Sequence, residues 1–170
     1  MESEHVKLAK VALDRYVRER EKINVPEWVP PELKNKRAGV FVSLKKDGLL
    51  RGCIGTTGPT KGSIAEEIIS NAISSGTQDP RFHQVDKEEL DNLTFSVDVL
   101  GEPEKINSIE ELDVKRYGVI VTSGWKRGLL LPDLEGVDTP EEQVSIALQK
   151  AGISHGEKYE MERFEVIRHH

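Results

Sequence analysis

The sequence has a single cysteine, Cys53, so it can form no intramolecular disulfide and offers no cysteine-rich zinc site. It has no apolar run long enough to cross a membrane as a helix. Its first residues, Met1-Glu2-Ser3-Glu4-His5, are polar and acidic, whereas a signal peptide starts basic and then turns apolar. The expected compartment is therefore the cytoplasm. An excess of positive charge is also lacking: 24 Lys and Arg stand against 30 Asp and Glu, a net charge of −6. Free-standing nucleic-acid binders are normally basic, so nucleic acid is not an expected partner. Lys45-Lys46 with Arg51 makes only a small basic patch. No HExxH, Walker loop, GxSxG or paired-cysteine motif occurs, and no metal or cofactor is expected.

What remains is a chain of 170 residues, suited to one domain or to two small subdomains around a common core. Residues 4–21 read as a helix, with Val6, Ala9, Leu13, Tyr16 and Val17 on one face. Pro26, Pro30 and Pro31 then break it. Trp28 among them reads as an anchor for an irregular segment. Residues 38–57 read as a β-hairpin turning at Asp47-Gly48, its first strand buried on both sides. Ser63 with Glu66 reads as a capping box opening a helix that Gly76 ends as a left-handed cap. Asp86 with Glu89 predicts a short helical turn, and Leu93 to Val99 alternates as a half-buried strand.

The pattern then recurs. Residues 117–131 read as a second hairpin turning at Ser123-Gly124-Trp125. Thr139-Pro140 with Glu142 opens a helix that Gly152 ends. Residues 158–167 read as a last strand with a bulge between Met161 and Phe164. At an offset of 76, Gly48, Arg51, Gly52, Glu66 and Gly76 fall on Gly124, Arg127, Gly128, Glu142 and Gly152, and Ser63 falls on Thr139. This predicts an internal duplication of a hairpin, helix and strand unit, approximately 38–100 and 115–167. The expected fold is α+β, a shared and largely antiparallel, barrel-like sheet around one core.

The two copies differ where chemistry could sit. The first reads Arg51-Gly52-Cys53-Ile54-Gly55-Thr56-Thr57-Gly58, and the second is ordinary apolar strand, Arg127-Gly128-Leu129-Leu130-Leu131-Pro132. Glycine in a strand marks the close approach of a backbone or a ligand. A thiol near Arg51 and open backbone N–H groups is a candidate nucleophile or ligand; the alternative is a small buried hydrophobe. Asp79-Pro80-Arg81-Phe82-His83 places a carboxylate, a guanidinium and an imidazole in one loop, and reads equally as an Asx-type turn anchored by Phe82. If this loop packs over the Gly-rich strand, His83 approaches Cys53. His5 and His155 read as exposed, and Arg168-His169-His170 is left outside the site.

Leu50-Arg51-Gly52-Cys53-Ile54-Gly55, Asp79-Pro80-Arg81-Phe82 and Gly128-Leu129-Leu130-Leu131-Pro132 together resemble the AMMECR-one domain family, protein A of the AmmeMemoRadiSam system. The resemblance runs from about residue 5 to 168, and the LRGCIG block is its hallmark. Many relatives have Gln after the Leu-Leu-Leu-Pro run, where this chain has Asp133. The resemblance implies a duplicated unit around a barrel-like sheet. It also implies work with a Memo-like protein, related to class III extradiol dioxygenases, and with a radical SAM protein. In fused members this domain follows the Memo-like part, so the chain fits an excised domain.

Two functions follow as expectations. One is an accessory, site-bearing protein of that system, with a binding surface of Arg51, Gly52, Cys53, Ile54, Gly55, Thr56, Asp79, Pro80, Arg81, Phe82, Leu131 and Pro132. The other is a thiol-dependent enzyme with Cys53 as nucleophile or acceptor, Arg51 holding an anion, and His83 or Asp79 as base.

Overall fold

The computed structural model describes residues 2–170. The elements run in the order α1 (Glu4–Glu19), α2 (Pro31–Asn35), β1 (Val40–Lys46), β2 (Leu49–Gly55), α3 (Ile64–Thr77), β3 (Leu93–Leu100), β4 (Glu104–Ile106), β5 (Gly118–Ser123), β6 (Lys126–Leu130), α4 (Pro140–Ala151), β7 (Glu160–Phe164) and β8 (Val166–His169). Short 3-10 turns lie at Leu90–Asn92 and Ile109–Glu111. The fold is α+β and the strand pairs are antiparallel, as expected. The strands do not form one shared sheet, however. They divide into two four-stranded sheets, ordered β2-β1-β3-β8 and β4-β7-β5-β6.

Two clusters of buried apolar residues are defined, one built on α1, β1, α3 and β3, the other on β5, β6 and α4. The chain divides into two compact units, one running to Leu100 and taking in Ile167–His170, the other spanning Gly101–Val166. The physical reason lies in the helices. Each hairpin is followed by a helix that buries its stripe on that same hairpin, α3 on β1 and β2, α4 on β5 and β6. One face of each hairpin is thus covered by the helix that follows it.

In the first unit, Ser3 caps α1 by accepting a hydrogen bond from the Val6 N–H. The helix stops at Glu19, short of the expected end, because Arg20 turns left-handed at φ 57°. Val6, Leu8, Ala9, Ala12 and Leu13 form its buried face. Asp47 and Gly48 make the tight hairpin turn at φ 53° and 78°. Val40, Val42 and Leu44 are buried while Phe41 and Ser43 are half-buried, so β1 has one core face and not two. Trp28 stays more than a third exposed, with the Lys7 ammonium 4.3 Å from its ring centre.

Three further expectations are corrected. Gly76 is not a left-handed cap but an internal residue of α3, where a Cβ would lie 2.5 Å from Leu13 Cδ1; it lets α1 close on α3. Gly152 does take the left-handed conformation, at φ 72°. The last strand carries no bulge between Met161 and Phe164, since β7 pairs with β5 in continuous register from Glu160 to Phe164. The break falls at Glu165, after which β8 joins the other sheet. His5 is half-buried rather than exposed, stacked on His169 at 3.6 Å between ring centres. Burial, then the His169 charge, pull its pKa down to about 4. Among the described residues no helix is long and apolar enough to cross a membrane.

Gly52 and Gly128 do similar work in the two units. A Cβ on Gly52 would lie 2.2 Å from the Ser75 carbonyl oxygen, and one on Gly128 would lie 2.3 Å from that of Ala147. Both obstacles are helix backbone, which cannot swing aside. Gly52→Ala and Gly128→Ala are therefore each expected to cost roughly 1–3 kcal/mol. Gly58→Ala, whose methyl meets nothing within 4 Å, serves as the neutral reference. Thermal or urea unfolding of the three variants checks the contrast.

Candidate functional site

Strand β2 lies at a sheet edge, so half of its backbone groups have no strand partner. The loop after α3 supplies partners. The Cys53 N–H donates to Asp79 Oδ2 at 3.0 Å. Arg81 holds the same carboxylate in place: its backbone N–H donates to Oδ1 at 3.1 Å, Nε to Oδ1 at 3.0 Å and Nη2 to Oδ2 at 2.7 Å. Asp79 is buried and Arg81 is exposed. The Arg81 guanidinium, helped by the Cys53 and Arg81 backbone N–H groups, holds the Asp79 carboxyl far below the usual carboxylate range, against the opposing effect of burial.

A second ion pair lies two residues back on the strand. The β1–β2 register slips between Leu44 and Lys45, pairing Leu44 with Gly52 and Lys45 with Leu50 and leaving Arg51 as the extra residue. Such a bulge re-aims a side chain. Arg51 Nε donates to Glu89 Oε1 at 2.9 Å and Nη2 donates to Oε2 at 3.1 Å. Both side chains are over nine-tenths buried. Glu89 also accepts from Lys46 Nζ at 3.2 Å and from the Asp86 N–H at 3.0 Å. The Arg51 guanidinium first, then these donors, bring its pKa down to about 2 although burial opposes them. The Phe82 ring joins the two pairs, with the Arg51 and Arg81 guanidinium carbons 5.8 and 5.5 Å from its centre. The loop 79–89 is thereby fixed to β2 at two points.

Cys53 itself is half-buried and not in a disulfide. Gly52 faces α3, so alternation turns Cys53 to the other side of the sheet. There it sits opposite Ser43, with Sγ 3.2 Å from the Ser43 hydroxyl oxygen. The Arg81 guanidinium is within Coulombic reach of the thiol. The next residue, Ile54, donates its N–H to the Ser75 hydroxyl at 2.9 Å, and that hydroxyl donates on to the Val42 carbonyl at 2.7 Å. A Cβ on Gly55 would lie 2.2 Å from Phe41 Cγ. The glycines flanking the cysteine thus admit a helix backbone at Gly52 and an aromatic ring at Gly55.

Buried Glu67 secures the strand exit. It accepts from the Thr56 and Thr60 hydroxyls at 2.9 and 2.6 Å and from the Thr60 and Lys61 N–H groups at 2.8 and 2.9 Å.

The structure therefore brings Arg51, Gly52, Cys53, Asp79, Arg81 and Phe82 into one cluster, with Ile54, Gly55 and Thr56 continuing the strand and exposed Pro80 on the loop. His83 is exposed, with Nε2 4.0 Å from Glu89 Oε2. Leu131 and Pro132 lie in the second unit, just after β6. The anion-holding role expected of Arg51 is filled from within, by Glu89. His83, Asp86 and Glu89 bring three donor atoms within 4.8 Å of one another, but Lys46 and Arg51 already neutralise Glu89 and oppose a further cation.

Sequence reasoning missed Ser43, Glu67, Ser75 and the role of Glu89. A regular two-residue turn at Asp47-Gly48 would put Ser43 opposite Gly52. Only the bulge at Arg51 moves it opposite Cys53. Glu89 was legible as the partner of the Asp86 N–H, not as the partner of Arg51.

Residues 6–169 match the AMMECR1 family model. A Thermotoga maritima protein is 54% identical over 170 residues, covering 99% of this chain and 98% of its own length. A Clostridium acetobutylicum protein is 57% identical over 166 residues, 97% of this chain. The match takes up 35% of that protein, so the chain spans about a third of that relative. An uncharacterised protein from Pyrococcus horikoshii has a solved structure similar to this one, with a TM-score of 0.88 at 34% identity, covering 96% of this chain and 88% of that one.

The Glu89 pair has a defined acid dependence. Its folded pKa lies below the ordinary 4.5, so the unfolded chain takes up the proton first. The stabilisation is complete above 4.5 and is lost as the pH falls toward about 2. Glu89→Gln leaves Arg51 buried without a counter-charge and is expected to cost roughly 3 kcal/mol at neutral pH. Denaturant unfolding of both proteins across this acid range is expected to show the difference shrinking as the pH drops.

Proposed function

This chain belongs to the AMMECR1 family, and on that premise we propose that it is an accessory, site-bearing protein that acts with a Memo-like protein and a radical SAM protein. The observation that carries this reading is the state of the two carboxylates beside β2. Asp79 is saturated by Arg81 and the Cys53 N–H, and Glu89 by Arg51, Lys46 and the Asp86 N–H. A general base needs a pKa near the working pH and a free lone pair toward its proton donor. Carboxylates held ionised in this way are scaffolding. The cluster presents a half-buried thiol beside ion pairs that are satisfied from within, without a complete catalytic set of its own, which suits a protein whose chemistry is finished by a partner.

Co-expression with both proteins from the same genome tests this, using affinity capture of this chain. Capture of at least one of them at defined stoichiometry is expected. Failure to retain either, in both orders of addition, would remove the reading.

The second reading, a thiol-dependent enzyme with Cys53 as nucleophile or acceptor, is favoured by the 3.2 Å approach of the Ser43 hydroxyl to Sγ and by the Arg81 charge in reach of it. With Asp79 saturated, this reading leaves His83, exposed and 4.0 Å from Glu89, as its remaining candidate base. Native Cys53 is then expected to react with iodoacetamide without prior unfolding, and more slowly in Arg81→Gln. Labelling that keeps pace only with global unfolding would identify the thiol as packing.

A further inference from the structure

We propose that the stacked imidazoles of His5 and His169 form an acid-released latch, which holds edge strand β8 against the start of α1 while both rings are neutral and lets it go when the pair takes up protons. β8 is the last strand of the sheet ordered β2-β1-β3-β8, so β3 is its one neighbour there. It is four residues long, and a short edge strand is among the parts of a sheet that open locally at low cost. Three contacts add to its pairing with β3. The Ser3 N–H, just before α1, donates to the His170 carbonyl at 3.0 Å. Arg168 holds the buried Asp98 carboxylate of β3 with two bonds of 2.7 and 2.8 Å. The third is the stack itself, with ring centres 3.6 Å apart and planes within 9° of parallel.

This geometry decides which protonation state the latch accepts. Both rings are half-buried, and at 3.6 Å no water fits between them. A proton on one ring places a charge in a partly desolvated contact, and a proton on each places two like charges face to face. The charged groups about the pair offset this only in part. Glu32 of α2 favours a proton on His5, and Asp98 of β3 favours one on His169. His170 of β8 opposes charge on His169, and the Asp98 carboxylate is already occupied by Arg168. Burial outweighs the two carboxylates, so His169, like His5, is held below the ordinary 6.5.

Release of β8 returns both rings to water and to the ordinary value. The open form therefore takes up protons from 6.5 downward, whereas the closed form resists at His5 until about 4. The latch is fully effective above 6.5 and weakens as the pH falls from there toward about 4. Opening bares the outer edge of β3, whose backbone N–H and C=O groups can then pair with another strand.

Hydrogen exchange of the intact chain, followed by NMR from about pH 7 to about pH 4.5, tests this. Rates are expressed as protection factors, which removes the intrinsic pH dependence of exchange. Protection of the Val166–His169 amides is expected to fall at least about tenfold over that range, while the Ile68 and Ile69 amides of α3 keep theirs. His5→Phe and His169→Phe keep a ring in the stack and remove its proton, and each is expected to abolish most of the fall. Histidine ring resonances read the same event in the unaltered chain, where His5 is expected to titrate well below 6.5.

β8 protection that stays flat across the range overturns the latch. A fall of equal size in both Phe variants overturns it as well, by assigning the acid sensitivity to another group. His5 titrating at 6.5 in the wild-type chain overturns it without recourse to any variant.

Discussion

The Arg51–Glu89 ion pair ties an edge strand to a loop that would otherwise hang free. A buried guanidinium and a buried carboxylate are each costly to desolvate, and together they persist only with bidentate geometry and further donors. Both conditions are met here, by two N–H···O bonds and by the added donation from Lys46 and the Asp86 N–H. With Glu89 anchored, the chain from Asp79 onward is held against β2. Asp79 can then meet the Cys53 N–H, and Phe82 can lie beside both guanidinium groups. The anchorage thus holds the loop residues Asp79, Arg81 and Phe82 beside β2.

The bulge at Arg51 makes the pair possible and also sets the surroundings of the cysteine. By adding one residue to β2 it turns Arg51 toward Glu89 and moves Cys53 opposite Ser43. The neighbouring glycines complete the arrangement by removing obstacles. One admits the α3 backbone at Ser75, the other the Phe41 ring. The Gly-flanked thiol is therefore a place of close packing, its sulfur lying on the sheet face away from α3, the face that carries Ser43 and Phe41. A tightly packed strand in a single register holds its side chains in fixed places.

The two units use the same construction, a hairpin closed by a helix over a glycine, with opposite emphasis. In the first, the polar resources are spent inside, on Asp79, Glu89, Glu67 and Ser75. In the second, Gln143 is buried and bonds the Tyr117 carbonyl, while the hairpin end is aromatic and cationic at the surface. Membership of the AMMECR1 family covers the whole of this arrangement, residues 6–169.

Local rules were enough for the local features. The amphipathic stripe of α1, the Asp47-Gly48 turn, the Ser63 and Thr139 caps and the left-handed Gly152 are all readable from a few adjacent residues, because neighbouring side chains and backbone dihedrals decide them. The LRGCIG block and its companion motifs were likewise sufficient for the family. The tertiary structure alone decided the division into two sheets, the use of Gly76 for helix contact, the break at Glu165 and the partners of Arg51 and Cys53. Each of these depends on groups brought together from distant parts of the chain, or on a one-residue slip between paired strands. A pattern of period two or 3.6 has no term for either, since both are settled by which surfaces pack and which buried charges find a counter-charge.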